Sequence, residues 1–317
     1  MDRPPPTPAA APADTVELDT AALRAWPLPQ PQPDSDKEVR GHVLVVAGSR
    51  EIPGAALLAA TAALRAGAGK LSVATAASVA PQLALLLPEA RVLGLAETAN
   101  GGFALEGARR ISELAGQADA LLLGPGMQDE AATAELVHAL LPRFSHCRVI
   151  LDATAMAVVH PRGEPHLLAD PVDWEHFRFA TPVLLTPHAG ELARLSGAAK
   201  EAIVQDPYAA ATRAAARWNA VLALKGATTV LAAPGGELWR HRGGNTGLAS
   251  SGSGDVLAGL IAGLAARGAT LAQAAAWGVA LHAAAGEQLA LRAGTLGYLA
   301  REIAAEIPAL LRSLAPD

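Results

Sequence analysis

Short apolar runs alternate along the chain with longer, alanine-rich segments from Gly41 onward. The apolar runs have the length of buried strands, and they predict strands at 42–47, 70–75, 119–124, 148–153, 183–186, 220–226 and 228–233. The alanine-rich segments predict helices at 55–66, 129–141, 190–195, 207–218 and 255–268, with a short helix at 21–26 for which Thr20 is the candidate N-cap. Because helix follows strand repeatedly, we expect an α/β fold with three layers, α/β/α. Its central sheet should be mostly parallel, with helices on both faces.

Two segments depart from this alternation. TTVLAAPGGELWRH (228–241) has Pro-Gly-Gly between two β-like runs, which predicts a hairpin at the sheet edge. Residues 1–14 are rich in proline and alanine and predict a disordered tail. We therefore expect one domain over residues 15–317, with a linker or surface loop at 28–38.

Composition and charge exclude several classes of protein. Hydrophobic residues make up 51% of the 317 residues but aromatic residues only 3%, which favours tight packing of small side chains. The net charge of −5 and the lack of a basic tract argue against a nucleic-acid partner. Cys147 is the one cysteine, which excludes a disulfide framework and fits a cytoplasmic protein. We see neither a signal peptide nor an apolar run of about 20 residues, so we expect no membrane partner.

Unusual residues follow the carboxyl ends of the predicted strands. They are Gly48-Ser49, Gly124-Pro125-Gly126, Asp152, Pro187-His188 and Lys225-Gly226. Ligands of open α/β sheets bind along this edge, although glycine and proline also serve ordinary turns. The charged and imidazole groups among them favour a ligand site.

The stretch GSGD (252–255) precedes a predicted helix. A helix N-terminus has unpaired N–H groups and a partial positive charge, and glycines let the backbone approach an anion closely. Gly252, Ser253 and Gly254 therefore form a candidate anion hole. Asp255, in the first turn, is a candidate general base that the helix dipole would keep ionised. This combination suits phosphoryl transfer onto an alcohol, whereas the plainer alternative is a simple helix cap.

Several motifs, taken together and in order, resemble one family. GSGDVLAG (252–259) resembles the signature of the ribokinase-like superfamily. The motifs are VVAGSREIPGAALLAATAALRAGAGKLSVAT (45–75), LLLGPGM (121–127), VILDATAM (149–156), LLTPHAGEL (184–192), LALKGATTVLAAPGGELW (222–239) and GNTGLASSGSGDVLAGLIAGLAARG (244–268). As a set they resemble the ADP/ATP-dependent NAD(P)H-hydrate dehydratases over roughly residues 40 to 315. The resemblance implies a ribokinase-like fold.

The resemblance also implies a reaction and its participants. These enzymes repair NADHX and NADPHX, the hydrated forms of the reduced nicotinamide cofactors, with ADP or ATP as phosphoryl donor and with Mg²⁺. We expect the NAD(P)HX epimerase, the functional partner, to be a separate chain, and we expect a homo-oligomer. The sequence leaves open which donor and which hydrate are preferred.

Roles are carried over by position. Asp255 would be the base, Gly252, Ser253 and Gly254 the anion hole, and Gly254 would also lie near the AMP part of the donor. The donor nucleotide would be lined by Lys225, Gly226, Ala227, Thr228 and Thr229. The hydrate would be contacted by Ala55, Gly126, His188, Asn245 and Asp255.

Four of the polar residues have a plainer alternative. His188 could simply hydrogen-bond its loop, and Lys225 could be an ordinary solvated lysine. Glu191 resembles a glutamate that holds Mg²⁺ through water, but it also suits the first turn of a helix. Asp152 could orient a ligand or metal, or only cap a loop.

Three positions depart from the family pattern. Thr154 stands where a second acid often occurs, so we expect no acid or metal role there. Ala189 replaces a usual proline and Ser251 a usual glycine, and both could alter loop stiffness.

Two other functions remain open. A kinase of the same fold acting on a vitamin precursor, of the hydroxyethylthiazole or hydroxymethylpyrimidine type, would share Asp255. A nucleotide-binding module without catalysis would bind ADP without turnover. A Rossmann oxidoreductase is disfavoured because no GxGxxG follows the first strand.

Overall fold

The computed structural model describes residues 9–32, 34–159 and 177–314. A single twisted sheet runs through them. Its strands are β1 (Val16–Glu17), β2 (His42–Val46), β3 (Lys70–Ala76), β4 (Ala90–Leu95), β5 (Ala120–Leu123), β6 (Arg148–Leu151), β7 (Val183–Leu185), β8 (Ala220–Leu224), β9 (Thr228–Ala232) and β10 (Leu238–Arg242). The helices are α1 (Thr20–Ala25), α2 (Pro53–Arg65), α3 (Ala80–Leu86), α4 (Gly107–Ser112), α5 (Glu130–Leu140), α6 (Ala189–Ser196), α7 (Lys200–Gln205), α8 (Pro207–Trp218), α9 (Ser253–Ala266), α10 (Leu271–Ala293) and α11 (Ala300–Leu314).

The sheet is almost entirely parallel. Its strand order is β1-β10-β9-β8-β7-β6-β5-β2-β3-β4, and only β9 runs against its two neighbours. The carboxyl ends of β2, β5, β6, β7, β8 and β10 therefore lie on one edge, together with the start of β9. The positions singled out at the strand ends converge along this edge.

Alternate side chains of the strands enter two separate cores. Val43, Val45 and Leu122 pack with helices α2, α9, α10 and α11 on one face. Leu44 and Leu123 pack with α5 and α8 on the other. Most of these strand side chains are fully buried, which is why the strands read as continuous apolar runs rather than alternating ones. The predicted three-layer α/β/α architecture is confirmed.

Helix α9 lies unusually close to α2. A Cβ atom on Gly259 would stand 2.0 Å from the carbonyl oxygen of Ala59, and one on Gly263 would stand 2.4 Å from that of Ala63. No side chain fits at such a distance, so the two helix backbones are in direct contact. Both helices are rich in alanine, and these small side chains allow the close packing.

The predicted elements are found, with shifted ends. The helix predicted from Asp255 begins at Ser253. The hairpin predicted over 228–241 is formed by β9 and β10, and only the two-residue strand β1 lies between it and the edge of the sheet. The N-cap of α1 is Asp19 rather than Thr20, because the Asp19 carboxylate accepts the Ala22 amide at 2.8 Å. The 28–38 loop contains no helix or strand in its described part.

Several elements had no prediction. The edge strand β4 is interrupted by Arg91 and Gly94, and only two of its six residues are buried, so it lacks the continuous apolar run of the other strands. Helices α10 and α11 were also missed, as were α3, α4 and α7. The division into a tail at 1–14 and a domain at 15–317 stays a prediction. Residues 1–8 of that tail lie outside the described residues. Ala9, within the predicted tail, donates its amide to the Gln205 carbonyl at 2.7 Å.

None of the helices in the described ranges has both the length and the apolarity needed to cross a membrane.

The contact between α2 and α9 gives a stability prediction. Gly259→Ala places a methyl group against the Ala59 carbonyl and forces the helices apart, so we expect unfolding free energy to fall by about 3 kcal/mol. The matched control is Gly54→Ala, in α2, where a Cβ meets nothing within 4 Å. Because alanine suits a helix better than glycine, the control should be neutral or gain about 0.5 kcal/mol. Denaturant unfolding measures both; equal stabilities would contradict the close contact.

Candidate functional site

The first turn of α9 faces the carboxyl edge of the sheet. Gly252 precedes it in the left-handed region, with φ of 88°, which favours glycine. The Ser253 amide donates to the Ser250 carbonyl at 3.2 Å, whereas the amides of Gly254 and Asp255 have no backbone acceptor among the described residues. The amides of Gly254 and Asp255 are therefore open to an anion, and the amide of Gly252 likewise has no backbone acceptor within the described residues. The amide of Ser253 is already used within the turn.

Lys225 lies among three carboxylates. Its Nζ is 3.4 Å from Asp152 Oδ1 and 3.8 Å from Glu191 Oε2, and its charge also acts on Asp255. Burial opposes the charge of Lys225, but the charges of Asp152, Glu191 and Asp255 outweigh that effect and raise its pKa. The side chain is 22% exposed. Lys225 is therefore a fixed ammonium of the site and not a solvated surface lysine.

Asp152 anchors this cluster from the end of β6. Its carboxylate is 4% exposed, and its Oδ1 also accepts the Thr186 hydroxyl at 2.5 Å. A buried carboxylate needs such partners to remain ionised. Asp152 therefore acts as more than a loop cap, since it holds Lys225 beside the first turn of α9.

The electrostatics of Asp255 differ from the expectation. Burial, and then the charge of Asp152, raise its pKa to about 6, while Lys225 acts in the opposite direction. The helix dipole was expected to favour the ionised form, but loss of hydration is the larger effect. The group is a carboxylate above about pH 6 and has proton affinity suited to a general base near neutrality.

Gly254 stands directly beside the ammonium of Lys225. A Cβ on Gly254 would lie 3.6 Å from Lys225 Nζ. The open amides at the start of α9 and the lysine charge thus converge on one small volume. Such a volume suits a phosphate oxygen.

His188 and Glu191 form a capping box at the start of α6. His188 Nδ1 accepts the amides of Gly190 at 3.0 Å and Glu191 at 3.2 Å, and Glu191 Oε2 accepts the His188 amide at 2.8 Å. Both His188 and Glu191 thus cap helix α6, which is the plainer role that the sequence also allowed. The His188 side chain is nevertheless 59% exposed, and its Nε2 lies 3.7 Å from Glu191 Oε2.

The turn between β8 and β9 carries the expected nucleotide segment. The Lys225 amide donates to the Pro187 carbonyl at 2.8 Å, which places this turn beside His188. Gly226 and Ala227 are exposed, and Thr228 and Thr229 are half-buried at the start of β9. The segment therefore forms an open rim next to the lysine cluster.

The residues expected to contact the hydrate fall into two groups. Gly126, with φ of 65°, touches Ala55 so closely that a Cβ on it would lie 2.5 Å from Ala55 Cβ. Asn245 lies elsewhere on the edge: its Oδ1 accepts the Gly247 amide at 2.9 Å and the Tyr298 hydroxyl at 2.8 Å. Its Nδ2 is buried and has no hydrogen-bond partner within the described part of the chain. This unsatisfied donor suits a ligand acceptor.

Two carboxylates at this edge are the candidate ligands of a metal ion. Within the described ranges no group of three histidine, cysteine, aspartate or glutamate side chains is arranged to hold one. Asp152 and Glu191 present carboxylate oxygens around Lys225, which fits Mg²⁺ held partly by water and by a nucleotide's phosphates. The Thr154 hydroxyl donates to the Met127 carbonyl at 2.9 Å.

One residue of the site was missed by sequence reasoning. His282 of α10 is buried, with Nε2 at 3.0 Å from the Ser253 carbonyl and 3.0 Å from Ser253 Oγ. It is the one ionisable side chain between Gln273 and Glu287 in an otherwise apolar stretch. A single ionisable residue in an apolar stretch was the available signal. It does not show that the imidazole contacts the start of α9.

Comparisons with known proteins agree with this arrangement. The carbohydrate-kinase family model described as NAD(P)H-hydrate dehydratase matches residues 43–309. The ADP-dependent (S)-NAD(P)H-hydrate dehydratase of Xanthomonas campestris is 49% identical over 294 residues, covering 93% of this chain and 95% of that protein. The solved ADP/ATP-dependent NAD(P)H-hydrate dehydratase of Bacillus subtilis, co-crystallised with ATP and Mg²⁺, is 31% identical with a TM-score of 0.79, covering 96% of this chain and 100% of that one.

A longer relative has a further part. The bifunctional NAD(P)H-hydrate repair enzyme of Moorella thermoacetica is 39% identical over 295 residues, which cover 93% of this chain but 54% of that enzyme. The chain thus spans about half the length of that relative. The expected ribokinase-like fold and the expected enzyme class, a hydro-lyase, are confirmed by these relatives. The chain belongs to the NAD(P)H-hydrate dehydratase family.

Proposed function

We propose that this protein uses ADP or ATP to dehydrate (S)-NADHX and (S)-NADPHX, which restores NADH and NADPH and yields AMP or ADP and phosphate. The observation that carries the proposal is the first turn of α9. Burial raises the pKa of Asp255 to about 6. In the same turn are the open amides of Gly254 and Asp255, next to the ammonium of Lys225. A base and an anion site in one turn are the equipment for phosphorylating a hydroxyl group.

The first step turns a poor leaving group into a good one. The Asp255 carboxylate accepts the proton of the ring hydroxyl while that oxygen attacks the terminal phosphorus of the donor. The bond from this phosphorus to the bridging oxygen breaks, and AMP leaves when ADP is the donor. Asp255 is then protonated and the hydrate carries a phosphate ester.

The second step is an elimination. The lone pair of the ring nitrogen expels phosphate, and the neighbouring ring carbon then gives up a proton to the departing phosphate, which restores the dihydronicotinamide. The chain's part in this step is to keep the ring placed and to bind the departing phosphate at the start of α9. The amides of Gly254 and Asp255 serve that anion without rearrangement.

Lys225 supports the transfer electrostatically. Its ammonium is oriented by Asp152 and Glu191 and lies beside Gly254. In this position it counters the negative charge of the transferred phosphoryl group and also keeps the pKa of Asp255 from rising further. One side chain thus acts on both the base and the phosphate.

Mg²⁺ is proposed as the cofactor. Asp152 and Glu191 would hold it, Glu191 through water, with the remaining positions taken by donor phosphates and water. When bound, the ion neutralises charge on the donor phosphates.

The two nucleotides are proposed to meet at this cluster from different sides. The donor would lie along Gly226, Ala227, Thr228 and Thr229, with its AMP part near Gly254. The hydrate would contact the touching pair Ala55 and Gly126, the exposed edge of His188, and Asn245 through its unpaired Nδ2. Asp255 stands between the two at the reacting hydroxyl.

Three wider features remain proposals. An NAD(P)HX epimerase would be the functional partner of this activity, and the active form would be a homo-oligomer. A cytoplasmic location is proposed from the single, buried Cys147.

The direct test is recovery of NADH from its hydrate. Purified protein with Mg²⁺ and either ADP or ATP should restore the near-ultraviolet absorbance of NADH, and omission of nucleotide should abolish it. Stable release of a phosphorylated vitamin precursor, with no recovery of NADH, would reject the proposal in favour of a kinase.

The base is tested by Asp255→Asn. We expect kcat to fall by at least about a hundredfold, because no group accepts the hydroxyl proton, while ADP affinity stays within about threefold. Stopped assays of NADH recovery and calorimetric titration with ADP measure these effects. Asp206→Asn is the control, since Asp206 caps α8 by accepting the Ala209 amide at 2.9 Å and lies outside the cluster. Near-normal turnover in the Asp255 variant would reject the assignment.

The pH profile gives a second test. Since Asp255 must be ionised to act, kcat/KM should fall as pH drops through about 6. Asp152→Asn removes a charge that raises this pKa, so the midpoint should move to lower pH; Lys225→Met removes a charge that lowers it and should move the midpoint to higher pH. Shifts in the same direction for both variants would contradict the cluster.

The unfolding free energy should fall as pH rises through the titration of Asp255, whereas kcat/KM should rise. Between about 3.8 and about 6 the folded protein keeps the proton on Asp255 that the unfolded chain has lost, so wild-type stability falls as pH rises through this window. Asp255→Asn removes that effect. The unfolding free energy of this variant should exceed that of the wild type by an amount that grows between about pH 3.8 and about pH 6. Above that range the difference should stay constant, on the order of 2 kcal/mol at about pH 8.

The same control applies to this measurement. Asp206→Asn should change stability little at either pH, because asparagine caps a helix about as well as aspartate. Denaturant unfolding at about pH 4 and about pH 8 measures both variants. An Asp255 variant without a gain at the higher pH would show that its carboxylate is not destabilising.

A further inference from the structure

His282 joins the middle of α10 to the first residue of α9. Its side chain is buried in the helical layer, with 8% of the residue exposed. Nε2 stands 3.0 Å from the carbonyl oxygen of Ser253 and 3.0 Å from Ser253 Oγ. The proposed reaction has no use for this imidazole as an acid or base, because it is not on the cleft surface.

The two contacts determine which nitrogen carries the proton. A carbonyl oxygen can only accept, so Nε2 must be the donor, and the serine oxygen shares that donor as a second acceptor. Burial lowers the pKa of His282 to about 4, so the ring is neutral near pH 7. The imidazole thus acts as a fixed N–H donor.

This donor constrains the turn that carries the open amides. Ser253 is held by its amide to the Ser250 carbonyl and by its own carbonyl to His282. Gly252, on its other side, has a left-handed backbone conformation and no side chain that would restrict the turn. The next two residues are Gly254 and Asp255, so the orientation of both amides and of the base follows from the placement of Ser253.

We propose that His282 is a positioning residue for this site: by donating to Ser253 it aims the Gly254 and Asp255 amides and the Asp255 carboxylate. Its effect on turnover rests on the function proposed above, whereas its effect on anion binding does not. It acts through Ser253 and does not touch the substrate.

Two substitutions separate hydrogen bonding from packing. His282→Gln keeps an amide N–H at the same number of bonds from Cβ as Nε2, whereas His282→Leu fills a similar volume without a donor. In the leucine variant we expect kcat to fall about 10- to 100-fold and ADP to bind several-fold more weakly, with KM for the hydrate nearly unchanged. In the glutamine variant kcat should return to within about threefold of wild type.

A buried histidine at the opposite edge of the sheet is the matched control. His42 is 5% exposed and contacts the Gln117 carbonyl at 3.1 Å and Ser72 Oγ at 2.9 Å. His42→Leu should lower the melting temperature but leave kcat per folded molecule and ADP affinity unchanged. A loss of kcat in this control equal to that of His282→Leu would assign the effect to general destabilisation and overturn the proposal.

Two measurements remain decisive if the leucine variant does not fold or if the wild type does not restore NADH. Nitrogen-15 spectra of the wild-type histidines should show His282 neutral with the proton on Nε2, at about pH 7 and still at about pH 5; a proton on Nδ1 would overturn the proposal.

Calorimetric titration with ADP does not depend on turnover. Binding weakened in His282→Leu and recovered in His282→Gln supports the positioning role even if the hydrate is not the substrate. Equal ADP affinity in the wild type and in a folded leucine variant overturns it.

Discussion

Direct backbone contact between α2 and α9 is the constraint on which the site depends. Gly259 and Gly263 let α9 lie against the carbonyl oxygens of Ala59 and Ala63. At that spacing the start of α9 comes to the sheet edge next to the ends of β6 and β8. Larger residues at either glycine would move the helix outward and would carry Asp255 away from Lys225 and Asp152.

The charges at that edge are balanced so that one carboxylate remains reactive. Asp152 is satisfied by Thr186 and Lys225, and Lys225 is satisfied by Asp152 and Glu191. Asp255 has no such hydrogen-bonded partner within the described residues, and burial, followed by the charge of Asp152, raises its pKa to about 6. The group that is least well stabilised in the folded state is the one available to take a proton. This is the usual relation between local instability and activity in a catalytic site.

Polar contacts from more distant elements hold the site segments in place. His282 of α10 donates to Ser253, Tyr298 donates to Asn245, and Glu287 accepts the Gly244 amide at 2.7 Å. All three come from the segment between α9 and the body of α11, which has no motif of its own. The apolar C-terminal helices thus provide both core packing and the orientation of the loops in front of them.

The sequence by itself determined the layer architecture, because buried parallel strands require continuous apolar runs and the crossover helices require small residues. It also predicted a ligand site at the carboxyl ends of the strands and a helix that starts close to Asp255, and α9 begins two residues earlier, at Ser253. Only the tertiary structure decided that Lys225 is enclosed by carboxylates, that the pKa of Asp255 rises rather than falls, and that His282 meets Ser253. These depend on burial and on distances between residues far apart in the chain, for example 29 positions between Ser253 and His282. Local patterns carry no such information, because hydration and charge are set by whichever elements happen to pack together.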